Sequence, residues 1–322
     1  YLWRNGEKQM LANDPPVPGH HRPKTEEIDF DRYYGKDYAP DLMLEEALGF
    51  IRKERKKPFF LYFAPIEPHV AMQPPREWVD RYPKSWDQKP YRGQRGYLPH
   101  PRPRAGYAAM ISDLDEHVGA IVTEIDKLGL GPNTLILFSS DNGPTHDVGG
   151  VDTEFFDSTG GLRGRKGSVY EGGIRVPMIA RWTSRIAAGT RSDHVSAFYD
   201  VLPTLAELSG APVPDGVDGI SFLPTLLGKG EQPRHDHLVW EFHGYQGQQA
   251  LIFGDWKAVR RGLRKDKLAI QLYNLPRDPA ETRDVAGEHP DLVARAAEVL
   301  AAEHTPSKVF MLPVLDGKPR RR

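Results

Sequence analysis

The fold is decided by residues 107–144, which read YAAMISDLDEHVGAIVTEIDKLGLGPNTLILFSSDNGP. Apolar residues recur at steps of three and four from Tyr107 through Ile111 to Leu128, which predicts an amphipathic helix ended by Gly129. Residues 134–138 form an apolar run of strand length, and polar residues follow it at once. A helix followed by a buried strand is the repeating unit of an α/β protein.

Segments on both sides continue this alternation. Upstream, a helix is predicted to start with Asp41 as its N-cap, and the apolar run 58–64 after it is predicted to be a strand buried on both faces. Downstream, a strand is predicted over 174–182 and a helix over 197–208. We therefore predict an α/β fold, with a mixed, mostly parallel sheet flanked by helices.

The pattern changes after about residue 230, where the predicted strands become short. They cover residues 237–242, 250–253, 256–259 and 268–272, and a terminal helix is predicted over 290–303. A tight turn at Gly254-Asp255 joins two of these strands. We predict two domains: the α/β catalytic part over residues 1–230, and a small antiparallel sheet with a terminal helix over residues 231–322.

Composition excludes several classes of function. The 322 residues carry a formal net charge of -1, so electrostatics gives no reason to expect nucleic acid or an anionic membrane as partner. No apolar run approaches the roughly 18 residues of a membrane span. The chain contains no cysteine, which excludes disulfides and thiolate metal sites.

Polar residues follow two of the predicted strands, where ligands bind in open α/β sheets. Asp141 and Asn142 come directly after the strand at 134–138, and their oxygens suit Ca²⁺ or Mg²⁺. The same Asp-Asn-Gly tripeptide is also common in simple turns. His69 follows the strand at 58–64, and an imidazole is suited to general acid catalysis near neutral pH.

A cationic, glycine-rich loop lies at residues 160–167, GGLRGRKG. It does not match the phosphate-binding loop Gly-x-x-x-x-Gly-Lys-Ser/Thr, and a basic surface loop is the simpler interpretation. Residues 170–177, YEGGIRVP, follow it directly and lead into the next predicted strand. The loop is therefore expected to lie against the sheet.

Taken in order, several segments resemble the sulfatase family, in its arylsulfatase-like branch of the alkaline phosphatase superfamily. The segments are 58–62 with Pro68-His69, 140–144, 162–177, 180–182, 240–243, 254–257 and 272–282. The resemblance spans nearly the whole chain. It also implies the alkaline-phosphatase-like form of the predicted fold.

The resemblance implies a role for each matching residue. Asp141 and Asn142 would bind Ca²⁺ rather than Mg²⁺, with the remaining ligands upstream of this chain. Lys166 would contact a sulfate oxygen, and His69 would donate a proton to the leaving alcohol. His146 and His243 would bind substrate. Two further residues, Glu171 and Arg175, are expected to brace the loop.

The nucleophile of the family is a formylglycine made from Cys or Ser in a Cys/Ser-x-Pro/Ala-x-Arg motif. No cysteine is present, and no serine begins that motif. We therefore expect an N-terminally truncated sequence, with the formylglycine upstream, that does not hydrolyse sulfate esters as it stands. The family also implies a periplasmic or secreted location.

Two other functions stay open. The first is a phosphate or phosphonate ester hydrolase of the same superfamily, for which the pair Asp193-His194 is a weak metal-ligand candidate. The second is a non-catalytic binding protein on this fold. For a sulfatase, the expected substrate is an aryl sulfate or a sulfated carbohydrate, and Trp78 and Trp86 in the loop 72–104 could stack against sugars. Nothing in the sequence indicates an oligomeric state.

Overall fold

The computed structural model describes residues 1–19, 23 and 27–317. The chain forms two compact units. Unit 1 consists of Tyr1–Thr134 and Thr145–Phe156, and unit 2 of Leu135–Pro144 and Asp157–Arg322. The C-terminal sheet shares unit 2 with residues 157–230, so the boundary at residues 230/231 stays a prediction.

Unit 1 begins with a hairpin of two short strands, β1 (Leu2–Arg4) and β2 (Glu7–Gln9). Asn5 and Gly6 join them with φ angles of 49° and 84°. Positive φ at both central positions is what a two-residue hairpin turn requires, and Asn-Gly supplies it at low cost.

The described part of unit 1 contains three α-helices, α1 (Ala39–Glu54), α2 (Arg76–Val79) and α3 (Pro103–Lys127), together with short 3₁₀ turns. The predicted helix at 107–128 is confirmed, although it begins four residues earlier. Pro103 fits the first helical turn, and the Asp87 carboxylate accepts hydrogen bonds from the backbone N–H groups of Arg104 and Ala105 at 2.7 and 3.2 Å.

Two details of these helices differ from the prediction. Tyr38, rather than Asp41, is the N-cap residue of α1, and Asp41 lies in the first turn with its side chain bonded elsewhere. On α3, the predicted apolar position Ile111 is 43% exposed, whereas Asp113 and His117 are buried. The face of α3 that is buried therefore includes two ionisable residues.

The predicted strand at 58–64 is wrong, because these residues form no strand. Phe60 and Tyr62 are 70% and 79% exposed. A strand needs a neighbour for its backbone N–H and C=O groups, and no strand in the described part of the chain pairs with this segment. The core of unit 1 lies elsewhere, in one cluster of Val70, Met72, Tyr107, Met110 and Val151 and in a second around Ala105 and Ala109.

Unit 2 contains a two-stranded piece of sheet, β3 (Ile136–Ser139) and β4 (Met178–Arg181). The two strands pair antiparallel, with Ile136 opposite Arg181 and Ser139 opposite Met178. Strand β4 lies within the predicted segment 174–182, whereas β3 begins two residues later and ends one residue later than the predicted segment 134–138. Three short helices follow the chain through this unit: α4 (Glu171–Ile174), α5 (Val201–Ser209) and α6 (Leu223–Leu227).

The C-terminal part of unit 2 is an antiparallel sheet of four strands in chain order, as predicted. The strands are β5 (Leu238–Phe242), β6 (Gln248–Phe253), β7 (Trp256–Arg261) and β8 (Ile270–Asn274), and helix α7 (Pro290–Ala302) follows them. Alternate residues point to opposite faces of a sheet. One face buries Leu251 and Leu272 against Leu300 of α7, and the other buries Tyr273 against Tyr170.

No helix in the described ranges combines the length and the apolar character needed to span a bilayer.

Candidate active site

The segment that follows β3 and the Lys166 loop (residues 160–173) are joined by backbone hydrogen bonds. The Gly143 N–H donates to the Gly173 carbonyl at 2.9 Å, and the Lys166 N–H donates to the Pro144 carbonyl at 2.8 Å. Ser139 Oγ also donates to the Pro177 carbonyl, at 2.9 Å. Asp141 and Asn142 are thus held beside the loop that carries Lys166.

Glycine makes this close approach possible. A Cβ atom at Gly143 would lie 1.9 Å from the Gly172 carbonyl oxygen, and one at Gly173 would lie 2.1 Å from the Ser168 carbonyl oxygen. A side chain at Gly143 would force the two segments apart, and one at Gly173 would collide with the backbone of the Lys166 loop itself.

Lys166 is half-buried, and its ammonium group is not used inside the protein. No ion pair or side-chain hydrogen bond involves it within residues 1–19, 23 and 27–317. A lysine ammonium carries three donors and a full charge, so it is available to an anionic ligand.

Asp141 and Asn142 offer the oxygen donors that a calcium ion would need. The Asp141 carboxylate is exposed. Asn142 Nδ2 donates a hydrogen bond to Asp141 Oδ1, while Asn142 Oδ1 is buried without a hydrogen-bond partner. A buried amide oxygen without a partner is costly unless a ligand satisfies it. The pair therefore fits a hard cation, and would supply part of the roughly six to eight oxygens that Ca²⁺ takes.

A buried ionic cluster anchors the Lys166 loop to the C-terminal sheet. Lys257 on β7 places Nζ 2.7 Å from Glu171 Oε1 and 3.1 Å from Glu281 Oε1. The Glu171 N–H donates to Glu281 Oε2 at 2.6 Å. All three side chains are buried. Burial raises the pKa of the Glu281 carboxyl above its usual range, although the charge of Lys257 opposes this change.

Arg163 provides a second attachment of the same loop. Its Nη1 donates to the Tyr273 hydroxyl at 3.0 Å and to the Glu281 carbonyl at 2.7 Å. Its guanidinium group lies 4.0 Å from the ring centroid of Tyr170. Gln248 adds a hydrogen bond to the Gly167 carbonyl at 2.9 Å. The expected bracing role of Glu171 is thus confirmed, and Arg163 and Lys257 share it. Arg175 is largely exposed, with Nη1 3.8 Å from Glu171 Oε2.

The three predicted histidines lie in different surroundings. His69 and His146 belong to unit 1. The His69 ring is exposed. Its Nδ1 donates to the Val70 carbonyl at 2.6 Å, so Nε2 lies on the other side of the ring from this hydrogen bond. His146 is half-buried. His243, in unit 2, follows β5 and packs its ring against Phe310 with centroids 4.8 Å apart. The grouping of these histidines with Lys166 stays a prediction.

A family model described as "Sulfatase" matches residues 3–211. The chain belongs to the sulfatase family. A second model, the C-terminal domain of N-sulphoglucosamine sulphohydrolase, matches residues 165–302 of this sulfatase chain. The two matches overlap over residues 165–211, which include Lys166, and together cover residues 3–302.

Curated relatives and solved structures agree with this assignment. The sulfatase chain is 31% identical over 290 residues to N-acetylgalactosamine-6-O-sulfatase of Bacteroides thetaiotaomicron, covering 82% of this chain and 51% of that protein. It is 35% identical over 229 residues to arylsulfatase A of Bos taurus, covering 71% and 38%. The crystal structure of Ps i-CgsB in complex with k-i-k-neocarrahexaose matches with a TM-score of 0.70 and 29% identity, covering 88% and 60%.

The chain thus spans about half the length, or less, of these curated relatives. The structural matches confirm the predicted fold class, an alkaline-phosphatase-like α/β fold with a small antiparallel sheet.

Two groups of residues in this chain were not predicted from the sequence. The first is the buried cluster of Lys257 and Glu281. Both residues lie in segments that carry the family resemblance, but no sequence pattern marks them as an ion pair. Lys257 sits among buried residues of a strand, and a lysine between apolar neighbours in Trp-Lys-Ala-Val was the available signal. The second group surrounds His117 on α3. Its signal was the spacing of Asp113 and His117, which places both on one helix face.

Proposed function

We propose that this chain provides part of the sulfate-binding site of a sulfatase, with Asp141 and Asn142 as Ca²⁺ ligands and Lys166 as a sulfate ligand. The observation that carries the proposal is the hydrogen-bonded junction of residues 143–144 with the Lys166 loop. The segment that carries the unpaired amide oxygen of Asn142 is thereby bonded to the loop that carries the unused ammonium group of Lys166. A cation and an ammonium group are what an anionic ester needs.

Each residue has a chemical task in this proposal. A bound Ca²⁺ would neutralise charge on the sulfate group and polarise its S–O bonds. Lys166 holds a sulfate oxygen through its ammonium group and offsets the negative charge that a nucleophile must approach. His69 donates a proton to the leaving oxygen, which is a poor leaving group without it. His146 and His243 contact the substrate.

The nucleophile is proposed to come from outside this sequence, as a formylglycine. No cysteine and no Ser-x-Pro/Ala-x-Arg segment occurs among the 322 residues. The chain by itself is therefore expected to bind sulfate esters without hydrolysing them. We propose sulfated carbohydrates as the substrate class, because one relative is an N-acetylgalactosamine-6-O-sulfatase and one structural match contains a neocarrahexaose.

The cation site can be tested on the chain as it is. Calorimetric titration with CaCl₂ after removal of metal with EGTA should give binding that the variant Asp141→Asn/Asn142→Ala lacks. Asp193→Asn is the matched control, since this exposed aspartate has no role in the proposal. Calcium binding that survives in Asp141→Asn/Asn142→Ala would refute the assignment. Binding of Zn²⁺ instead of Ca²⁺ that is lost in Asp193→Asn would favour the phosphate ester hydrolase.

Lys166 and His69 are tested in the complete enzyme that carries the formylglycine. Lys166→Ala should lower kcat/KM for an aryl sulfate by roughly a hundredfold, the scale of losing one charge-stabilising donor. His69→Ala should slow alkyl sulfates much more than aryl sulfates with acidic leaving groups, because only the poorer leaving group depends on protonation. Equal losses for both substrates would remove His69 from the role of proton donor.

A further inference from the structure

Unit 1 contains a group of ionisable side chains that the sulfatase site does not use. His117 Nε2 lies 3.1 Å from Asp41 Oδ1 and 3.6 Å from Asp113 Oδ1. On the other side of the ring, His117 Nδ1 lies 3.1 Å from Glu67 Oε1. The side chains of Glu67, Asp113 and His117 are 0%, 3% and 4% exposed, whereas that of Asp41 is 48% exposed.

The polar atoms of this group are poorly satisfied. Four polar atoms are buried without a hydrogen-bond partner: both carboxylate oxygens of Glu67, Asp113 Oδ2 and His117 Nδ1. His117 Nδ1 and Glu67 Oε1 are close to each other, but their geometry is too poorly directed for a hydrogen bond. In the part of the chain that the structure describes, no lysine or arginine forms an ion pair with Asp41, Glu67 or Asp113. Three carboxylates therefore surround a single imidazole. Buried carboxylates in this state are destabilising unless they are neutralised.

One oxygen from each aspartate and one nitrogen of His117 all lie within 4.8 Å of one another. We propose that Asp41, Asp113 and His117, all in unit 1, form a binding site for a divalent transition-metal ion such as Zn²⁺, which uses none of the residues proposed for sulfate binding. The donor set explains the choice of metal. Imidazole favours Zn²⁺ over Ca²⁺ and Mg²⁺, and two carboxylates supply the charge. The half-exposed Asp41 leaves a path to solvent.

Glu67 completes this arrangement as a positioning residue. A histidine that binds a metal through one nitrogen usually donates its other N–H to a carboxylate. His117 Nε2–H donates to Asp41 Oδ1. On metal binding this nitrogen becomes a ligand, so the proton of a neutral ring moves to Nδ1, which faces Glu67. If the ring starts as an imidazolium ion, one proton is released to solvent.

Two pKa shifts agree with a buried group of acids that no basic side chain fully neutralises. Burial raises the pKa of Asp113 to about 6, against the effect of His117. Burial, followed by the charges of Glu67, Asp113 and Asp41, raises the pKa of Tyr38 above its usual range. A bound cation would relieve both effects.

The test is calorimetric titration of the chelator-treated chain with ZnCl₂, in the presence of excess Ca²⁺ to occupy the Asp141 site. Wild type should bind Zn²⁺ in a saturable step that both Asp113→Asn and His117→Gln abolish. Glu67→Gln should weaken binding by about 10- to 100-fold, the usual effect of losing the carboxylate behind a ligating histidine. Glu116→Gln is the matched control, an exposed acid on the same helix, and should bind like wild type.

Zn²⁺ binding that is equal in wild type, Asp113→Asn and His117→Gln would overturn the proposal, and so would the absence of Zn²⁺ binding to wild type. Asp113→Asn preserves shape and removes a buried charge, so it is expected to fold. Asp41→Asn, at the half-exposed ligand, provides a second variant. As an independent measurement, Zn²⁺ should raise the unfolding temperature of wild type and Glu116→Gln, and leave that of Asp113→Asn unchanged.

Discussion

Replacing Lys257 by methionine tests how the Lys166 loop is attached to the C-terminal sheet. Met keeps most of the volume of the lysine stem but removes the charge that lies 2.7 and 3.1 Å from two glutamates. Glu171 and Glu281 are then left as buried carboxylates without a counter-ion. Removing one partner of a buried ion pair typically costs about 3–5 kcal/mol.

The pH dependence of the free energy of unfolding gives an independent estimate of this cost. The variant can escape charge repulsion by protonating one of the two carboxyls. From an ordinary glutamate pKa of about 4.3, protonation at pH 7 costs about 4 kcal/mol, and at pH 5 about 1 kcal/mol. The destabilisation should therefore fall by about 3 kcal/mol between pH 7 and pH 5. Wild type should show a smaller pH dependence of the same sign, because burial raises the pKa of Glu281. The stability that the bound proton contributes is lost as pH rises through this pKa.

The assay is urea unfolding monitored by tryptophan fluorescence, to which Trp240 and Trp256 on the C-terminal sheet contribute together with the four other tryptophans. Lys229→Met, at an exposed position of the same unit, is the control and should stay within about 0.5 kcal/mol of wild type. The double variant Lys257→Met/Glu281→Gln should recover part of the loss, because only one charge remains. A loss below about 1 kcal/mol at pH 7, or one that is as large at pH 5, would refute the reasoning.

Two further predictions concern stability. Gly143→Ala should destabilise unit 2 by about 1–3 kcal/mol, because its Cβ would lie 1.9 Å from the Gly172 oxygen. Gly119→Ala, in an open part of α3, should be neutral or stabilising. Thermal unfolding of both variants measures the difference, and equal midpoints would contradict the close packing at Gly143. His304 Nδ1 lies 2.9 Å from Glu241 and its Nε2 lies 3.0 Å from Asp316; burial lowers the pKa of His304, but these hydrogen bonds outweigh it and raise the pKa above its usual range. The stability from this contact should be complete below the ordinary histidine pKa of about 6.5 and lost as pH rises through the folded-state pKa, so a pH series of unfolding midpoints that His304→Gln leaves unchanged would count against it.

The periodic elements could be predicted because their signals are local. Helix α3, strand β3 and the four strands of the C-terminal sheet were found within a few residues of their observed bounds. Residues 58–64 show the limit of this approach. Their apolar run meets every local criterion for a buried strand, yet a strand also needs hydrogen bonds from a neighbour, and local sequence cannot supply that information.

The candidate site divides in the same way. The sequence alone determined which residue types follow β3 and which loop carries the cationic charge, because strand ends and glycine-rich turns are set by local patterns. Only the tertiary structure decided that Gly143 lets these segments touch, and that Lys257 on the C-terminal sheet and Glu281 after it fix the loop. It also decided that Asp113 and His117 are buried beside Glu67 and Asp41. Burial and charge pairing depend on residues far apart in the chain, and a local pattern contains no record of them.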